Sequence, residues 1–172
     1  MGHVVSKVYE KSEDGDAYAM IKCCKTVRNY VLDHETDEFD GNFSERSQID
    51  SVPDALVSLV SLLLYGPKYK GTVTQEVLTI SQLIKSNTKK RSFTTGHHHA
   101  KETPLTLYTG LLFHSEFRSK QIIQTFHRLG MSVSYDRILT IEKDLIRAKC
   151  TQYHKDGVII IIRFSFVRPK SS

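Results

Sequence analysis

From Ala55 to Tyr65 the chain runs without a charged side chain, and Gly66-Pro67 then stops it. The stretch is apolar almost all round. Taken from just after Ser51 it makes a helix of about 13 residues, which at 1.5 Å per residue spans only ~20 Å. A bilayer core takes about 30 Å, so the stretch reads as the central buried helix of a soluble fold. Its start is marked as well. The Ser51 hydroxyl can accept an early backbone N–H, Pro53 tolerates the first turn, and Asp54 closes a capping box. A helix of this kind must be wrapped on several sides, so amphipathic helices are expected around it.

Apolar residues at three- and four-residue steps mark the wrapping helices. Met20, Cys24, Val27 and Val31 share one face of a helix that Asp16 can cap and that fades near His34. Thr72 with Gln75 makes a second capping box ahead of Val77, Ile80 and Ile84, in a helix to about Asn87. Thr103-Pro104 opens another, with Leu105, Tyr108, Leu111 and Leu112 on its apolar side. Gly110 inside it costs about 1 kcal/mol against Ala, which points to close packing or a kink. Ile122, Ile123, Phe126 and Leu129 form the next helix, ended by Gly130. Ser134 caps the last, where Ile138, Ile141, Leu145 and Ala148 run along one side. Val158–Val167, with four consecutive Ile, reads as a strand without a visible partner, a sign of an incomplete chain or an atypical end.

The expected architecture is mainly α: an irregular bundle of about six helices with an acidic N-terminal linker and one C-terminal β-like segment. Residues 1–50 are expected to form a loosely ordered acidic lead with one helix, 51–156 a helical domain with a basic loop over 85–101, and 157–172 an atypical tail.

Charge is unevenly placed. Residues 1–54 hold 6 Lys/Arg against 12 Asp/Glu, whereas 55–172 hold 18 against 7. A basic body suggests an anionic partner, nucleic acid first among them, against the plainer reading of a dipolar surface kept soluble by charge. Three cysteines without a C-x-x-C or a secretory signal point to reducing, intracellular surroundings, nuclear or cytoplasmic, and Cys24 is expected to be buried. Gly2 and Ser6 match the M-G-x-x-x-[ST] pattern for N-myristoylation, which the acidic run Glu10–Asp16 opposes at an anionic membrane.

Sites of chemistry are sparse. The sequence has no G-x-S-x-G, P-loop, G-x-G-x-x-G or H-E-x-x-H, so no enzyme activity and no cofactor is expected, and no small-molecule substrate is evident. The acidic segment fails as a calcium loop: with Asp33 first, Glu38 stands where Gly belongs and Ser44 where the bidentate Glu belongs. His97-His98-His99 reads as a hydrated loop, since folded metal sites space their ligands and support them from behind. The basic loop carries Lys85, Lys89, Lys90, Arg91 and Lys101 without an acid, a composition suited to phosphate. Leu129-Gly130-Met131-Ser132-Val133-Ser134 has the look of a helix-turn-helix corner, with cationic Arg137, Lys143, Arg147 and Lys149 on the second helix. An αα-hairpin that only builds core is the competing reading.

Glu102-Thr103-Pro104, Tyr108, Gly110, His114, Arg118, Leu129-Gly130-Met131 and Ser134–Leu139, with Val52-Pro53, Leu56, Ile80 and Leu83, give the chain a further character. Over about residues 45–156 it resembles a family of uncharacterised, multicopy animal proteins of mobile-element type. Members continue further, into a region whose Asp and His residues imply a nuclease-like centre, and this chain departs after about Gly157. The resemblance implies the amino-terminal part of such a protein, a truncated copy, and transfers no catalytic residue. The expected function is a non-catalytic helical module associated with DNA through Lys89, Lys90, Arg91, Arg137, Lys143 and Arg147. The alternative is a protein-interaction or structural bundle that packs against a missing C-terminal region.

Overall fold

Seven helices and no strand make up the residues that the computed structural model describes, which are 15–36, 39–88 and 102–155. In chain order they are α1 (Gly15–Asp33), α2 (Glu45–Asp50), α3 (Asp54–Tyr65), α4 (Gln75–Asn87), α5 (Pro104–Phe117), α6 (Lys120–Arg128) and α7 (Tyr135–Lys155). The mainly helical class read from the sequence holds. The β-like segment over Val158–Val167 lies outside the described residues, as do Gly2 and His97–His99.

Local chemistry sets several of the helix ends. Thr103 and Thr106 form the reciprocal capping box at the start of α5, with Pro104 in its first turn. Ser119 Oγ accepts from Ile122 N at 3.4 Å, and Ser134 Oγ accepts from Arg137 N at 3.3 Å, opening α6 and α7. Gly130 takes φ +73° after α6, the left-handed turn that ends a helix cheaply only in glycine. Two expected boxes do not form. Ser51 turns the other way, donating from Oγ to Gln48 O at 2.7 Å and closing α2, so α3 begins after Pro53 without a side-chain cap. Thr72 is likewise set aside, because α4 starts at Gln75 behind Thr74.

The core has two centres. Val31 of α1, Leu56 and Val60 of α3 and Val77 of α4 form one, with Val27 and Val57 at its edge. Leu107, Leu111, Ile123, Val133, Ile138 and Ile141 form the other, from α5, α6, α7 and the turn before α7. Buried glutamines join the two. Gln48 Oε1 accepts from Gln75 Nε2 at 2.7 Å and from Gln82 Nε2 at 3.2 Å, and Gln82 Oε1 accepts from Leu105 N at 2.9 Å. That chain of amides runs from α2 through α4 to α5, and each buried polar group in it has a partner.

Residues 15–50 depart from the loose lead expected of them. They hold two helices rather than one, and the loop between is anchored. Phe43 stacks on Tyr108 with ring centroids 4.5 Å apart, and Phe39 packs against the α5–α7 core. Its acids hid two aromatic anchors, whose buried ring area offsets part of the entropy that the segment loses.

α5 and α7 cross where α5 has no side chain. A Cβ at Gly110 would sit 2.7 Å from Ile138 Cδ1 and 2.8 Å from Ser132 Oγ. Close packing is therefore the reason for this glycine. Gly110→Ala is expected to lower unfolding free energy by about 1–2 kcal/mol, overpacking outweighing the gain in helix propensity. Adding Ile138→Val, which removes the clashing methyl, is expected to give a non-additive recovery in a denaturant double-mutant cycle. Strict additivity of the two changes refutes the contact.

Candidate functional site

The cations proposed for phosphate contact are not gathered. Lys89, Lys90 and Arg91 lie outside the described residues. Arg137 is committed elsewhere. Its Nε donates to Glu102 Oε1 at 2.8 Å and its Nη2 to Glu102 Oε2 at 2.8 Å, a two-pronged pair with both side chains mostly buried. This pair fastens the approach to α5 against the start of α7. Lys143 and Arg147 are exposed on α7, one turn apart, but Asp136 and Asp144 stand among them, and Arg147 Nη1 lies 3.6 Å from Asp144 Oδ1. The exposed side of α7 is therefore mixed in sign. Residues 129–134 join α6 to α7, and both helices pack on α5. Val133 N donates back to Thr106 O at 3.3 Å and His127 Nδ1 meets Ser132 O at 3.0 Å, so much of this corner serves to build core.

Apolar surface is more concentrated than positive charge. α3 is not the central buried helix that its composition promises. Leu56 and Val60 are buried, but the last turn opens to solvent: Leu62 is 51% exposed, Leu63 75%, Leu64 45% and Tyr65 41%. Tyr69, just beyond, stacks on Tyr65 and is itself exposed. α1 repeats the theme. Val31 is buried near its end, whereas Tyr18 and Met20 are exposed, and so are Cys23 and Cys24. The expectation of a buried Cys24 fails because α1 runs past the body that covers Val31. Monomeric proteins rarely leave consecutive large apolar side chains in water.

A polar centre lies where α1, α2 and α4 meet, and the sequence reading missed it. Lys85, assigned to the basic loop, belongs to the last turn of α4 and is 1% exposed. α4 turns Val77, Leu78, Ser81, Gln82 and Lys85 inward, and leaves Ile80 and Ile84 partly in solvent. The Lys85 ammonium donates to Thr36 Oγ1 at 2.6 Å, to Ser51 O at 2.7 Å and to His34 Nδ1 at 2.9 Å. An ammonium can only donate, so His34 Nδ1 is the acceptor and the imidazole is neutral. All three N–H groups are satisfied, yet none of the partners is a carboxylate. Burial of this unpaired charge pushes the Lys85 amine down to about 8. His34 is also held below its usual range, first by burial and then by the Lys85 charge. Thr36 and Ser51 line a cavity of about 240 Å³ beside it, together with Phe39, Asp40, Asp50 and Pro104.

Among the described residues no group of three His, Cys, Asp or Glu is placed to hold a metal ion, and no helix is long and apolar enough to cross a membrane. No family model, curated protein or solved structure matches the chain.

The Lys85 environment makes a signed prediction. The folded state binds the Lys85 proton less tightly than the unfolded chain, whose amine keeps an ordinary value of 10.5. The penalty is fully present below pH 8 and is relieved as pH rises from about 8 to 10.5. Unfolding free energy is expected to gain about 1–3 kcal/mol from this group across that window. Denaturant titrations at several pH values check it. Lys85→Met is expected to remove the gain, and an equal gain in that variant refutes the assignment.

Proposed function

We propose that the chain is a non-catalytic helical interaction module whose docking surface is the apolar end of α3 with the exposed part of α1. One observation carries this reading. Leu62, Leu63, Leu64 and Tyr65 are consecutive and exposed, on a helix whose other half is buried. Side chains of that size in that number cost solubility unless something covers them, and a protein surface of matching shape is what buries such a cluster. The missing C-terminal region expected from the sequence is one candidate partner, and an independent protein is another.

Association with nucleic acid is a second reading. Lys143 and Arg147, exposed one turn apart beyond the Gly130–Ser134 corner, are what supports it. Arg137 adds little, since its guanidinium is spent on Glu102. Descent from a mobile element is a separate proposal that rests on the sequence resemblance alone.

Leu63→Glu separates the docking role from structure. Leu63 is 75% exposed, so stability is expected to stay within about 0.5 kcal/mol of the parent. Proximity labelling in the source cells is expected to lose the neighbours seen with the parent chain. An unchanged set of neighbours defeats the interaction reading. For nucleic acid, duplex affinity is measured against salt with Lys143→Gln/Arg147→Gln alongside. Phosphate contact by both predicts a salt slope shallower by roughly 2 in the double variant. Equal slopes, or no binding at low salt, remove the second reading.

A further inference from the structure

We propose that His34 and Lys85 form an acid-sensitive latch that holds the end of α1 against α4. The latch concerns how α1 is held rather than what it meets, so it stands apart from the interaction reading above.

The geometry is specific. α1 ends at Asp33, and the next residue in the chain, His34, accepts from Lys85 Nζ at 2.9 Å through Nδ1. Thr36, two residues on, takes the shortest of the three bonds at 2.6 Å. The third bond goes to Ser51 O at the end of α2. One buried side chain of α4 thus pins both the segment leaving α1 and the segment leaving α2. Apart from it, the buried attachment of α1 is Val31, with Val27 partly covered.

Of the three acceptors, only His34 changes its charge in mildly acid solution. Protonated at Nδ1, it becomes a donor facing a donor, two cations at the distance of a hydrogen bond. Partial burial leaves little water between them to screen the repulsion. The charged groups nearby do not cancel it. From α3, Asp54 attracts the imidazolium, but more weakly than Lys85 repels it. Glu35, adjacent in the chain, acts through its backbone. Asp50 of α2 and Asp40 of the loop line the same cavity as Thr36 and Ser51, and neither offsets the Lys85 charge at His34. From α4 the group that faces His34 is Lys85 itself. His34 is partly exposed, so the ring swings outward into water to relieve the clash, leaving one Lys85 N–H without its acceptor. That movement frees the residues joining α1 to the body.

The sign follows from the same contacts. The folded state disfavours the His34 proton, whereas the unfolded chain binds it at about 6.5. The latch is therefore closed above pH 6.5 and loses its contribution as pH falls below that value.

The full chain with Cys23, Cys24 and Cys150 each changed to Ser provides the background for a thiol reporter. Val31→Cys places that reporter in the α1 contact, and Ile138→Cys, in a separate variant, in the α5–α7 core. Labelling with an acid-tolerant disulfide reagent is compared at about pH 7.5 and about pH 5, each normalised to the unfolded chain. Protection at residue 31 is expected to fall roughly tenfold at the lower pH, while that at residue 138 holds. His34→Gln, whose amide oxygen still accepts from Lys85 but cannot ionise, is expected to keep protection at residue 31 at both pH values. Three outcomes overturn the latch: pH-independent protection in the parent background, the same fall in His34→Gln, or simultaneous loss at both reporters, which is global unfolding. Should the Val31→Cys chain not fold, amide exchange of residues 30–36 in the unmodified chain, corrected for intrinsic rate and set against residues 138–141, reads the same opening with the same three criteria.

Discussion

A buried ammonium has three N–H groups to place, and at Lys85 they tie two segments, the one after α1 and the end of α2, to α4. His34 and Thr36 follow α1, Ser51 O closes α2, and the lysine itself ends α4. Each bond is charge-assisted and short. None returns a negative charge, so the centre is held by hydrogen bonds at the cost of an unneutralised cation. Losing one acceptor leaves a buried charged donor without a partner, which is far dearer than losing a bond at the surface. Lys85 thus adds to the apolar contacts of Val31 in placing α1, and to the Gln48 amide bonds in placing α2.

The two core centres divide the labour. The α5–α7 centre is built by close approach: Gly110 admits Ile138, the α6–α7 corner bonds back to Thr106, and Arg137 is clamped to Glu102. The centre of α1, α3 and α4 has fewer buried side chains and leans on polar brackets, Lys85 on one side and the Gln48–Gln82 amides on the other. Asn87 Nδ2 then donates to Gly130 O at 2.9 Å, joining the end of α4 to the α6–α7 corner. The run of consecutive exposed apolar side chains, Leu62 to Tyr65, lies at the edge of this centre, which is where few internal contacts compete with an outside partner.

Periodicity made most of the helices legible before any coordinates. The Thr103-Pro104 start of α5, the close contact at Gly110 and the Ser134 cap can all be read from residue type and spacing, because each is a local or nearly local effect. What escaped was decided by long-range partners. Lys85 looked like one more cation of a basic loop, and nothing within its neighbourhood in the chain announces His34, Thr36 and Ser51. Ile80 and Ile84 suggest the wrong inward face for α4, since Ser81, Gln82 and Lys85 are polar yet buried, the last two with their bonds met. Ser51 had two helices to choose from and capped the earlier one. The composition of α3 implied full burial, but composition gives the apolar area a helix offers and not how much of it the rest of the chain is large enough to cover.

The same limit governs the candidate site. A count of cations along a sequence carries no information on which have been claimed by a carboxylate. Arg137 illustrates this: the sequence offers it as a cation for phosphate contact, and by contact it is an internal clamp. A guanidinium held two-pronged by Glu102, with both groups largely out of water, gains nothing further from a phosphate unless that pair first breaks, and breaking it strands a part-buried carboxylate. The positive body of the sequence is thus partly an internal fastening, and the surface left for recognition is characterised at least as much by leucine and tyrosine as by charge.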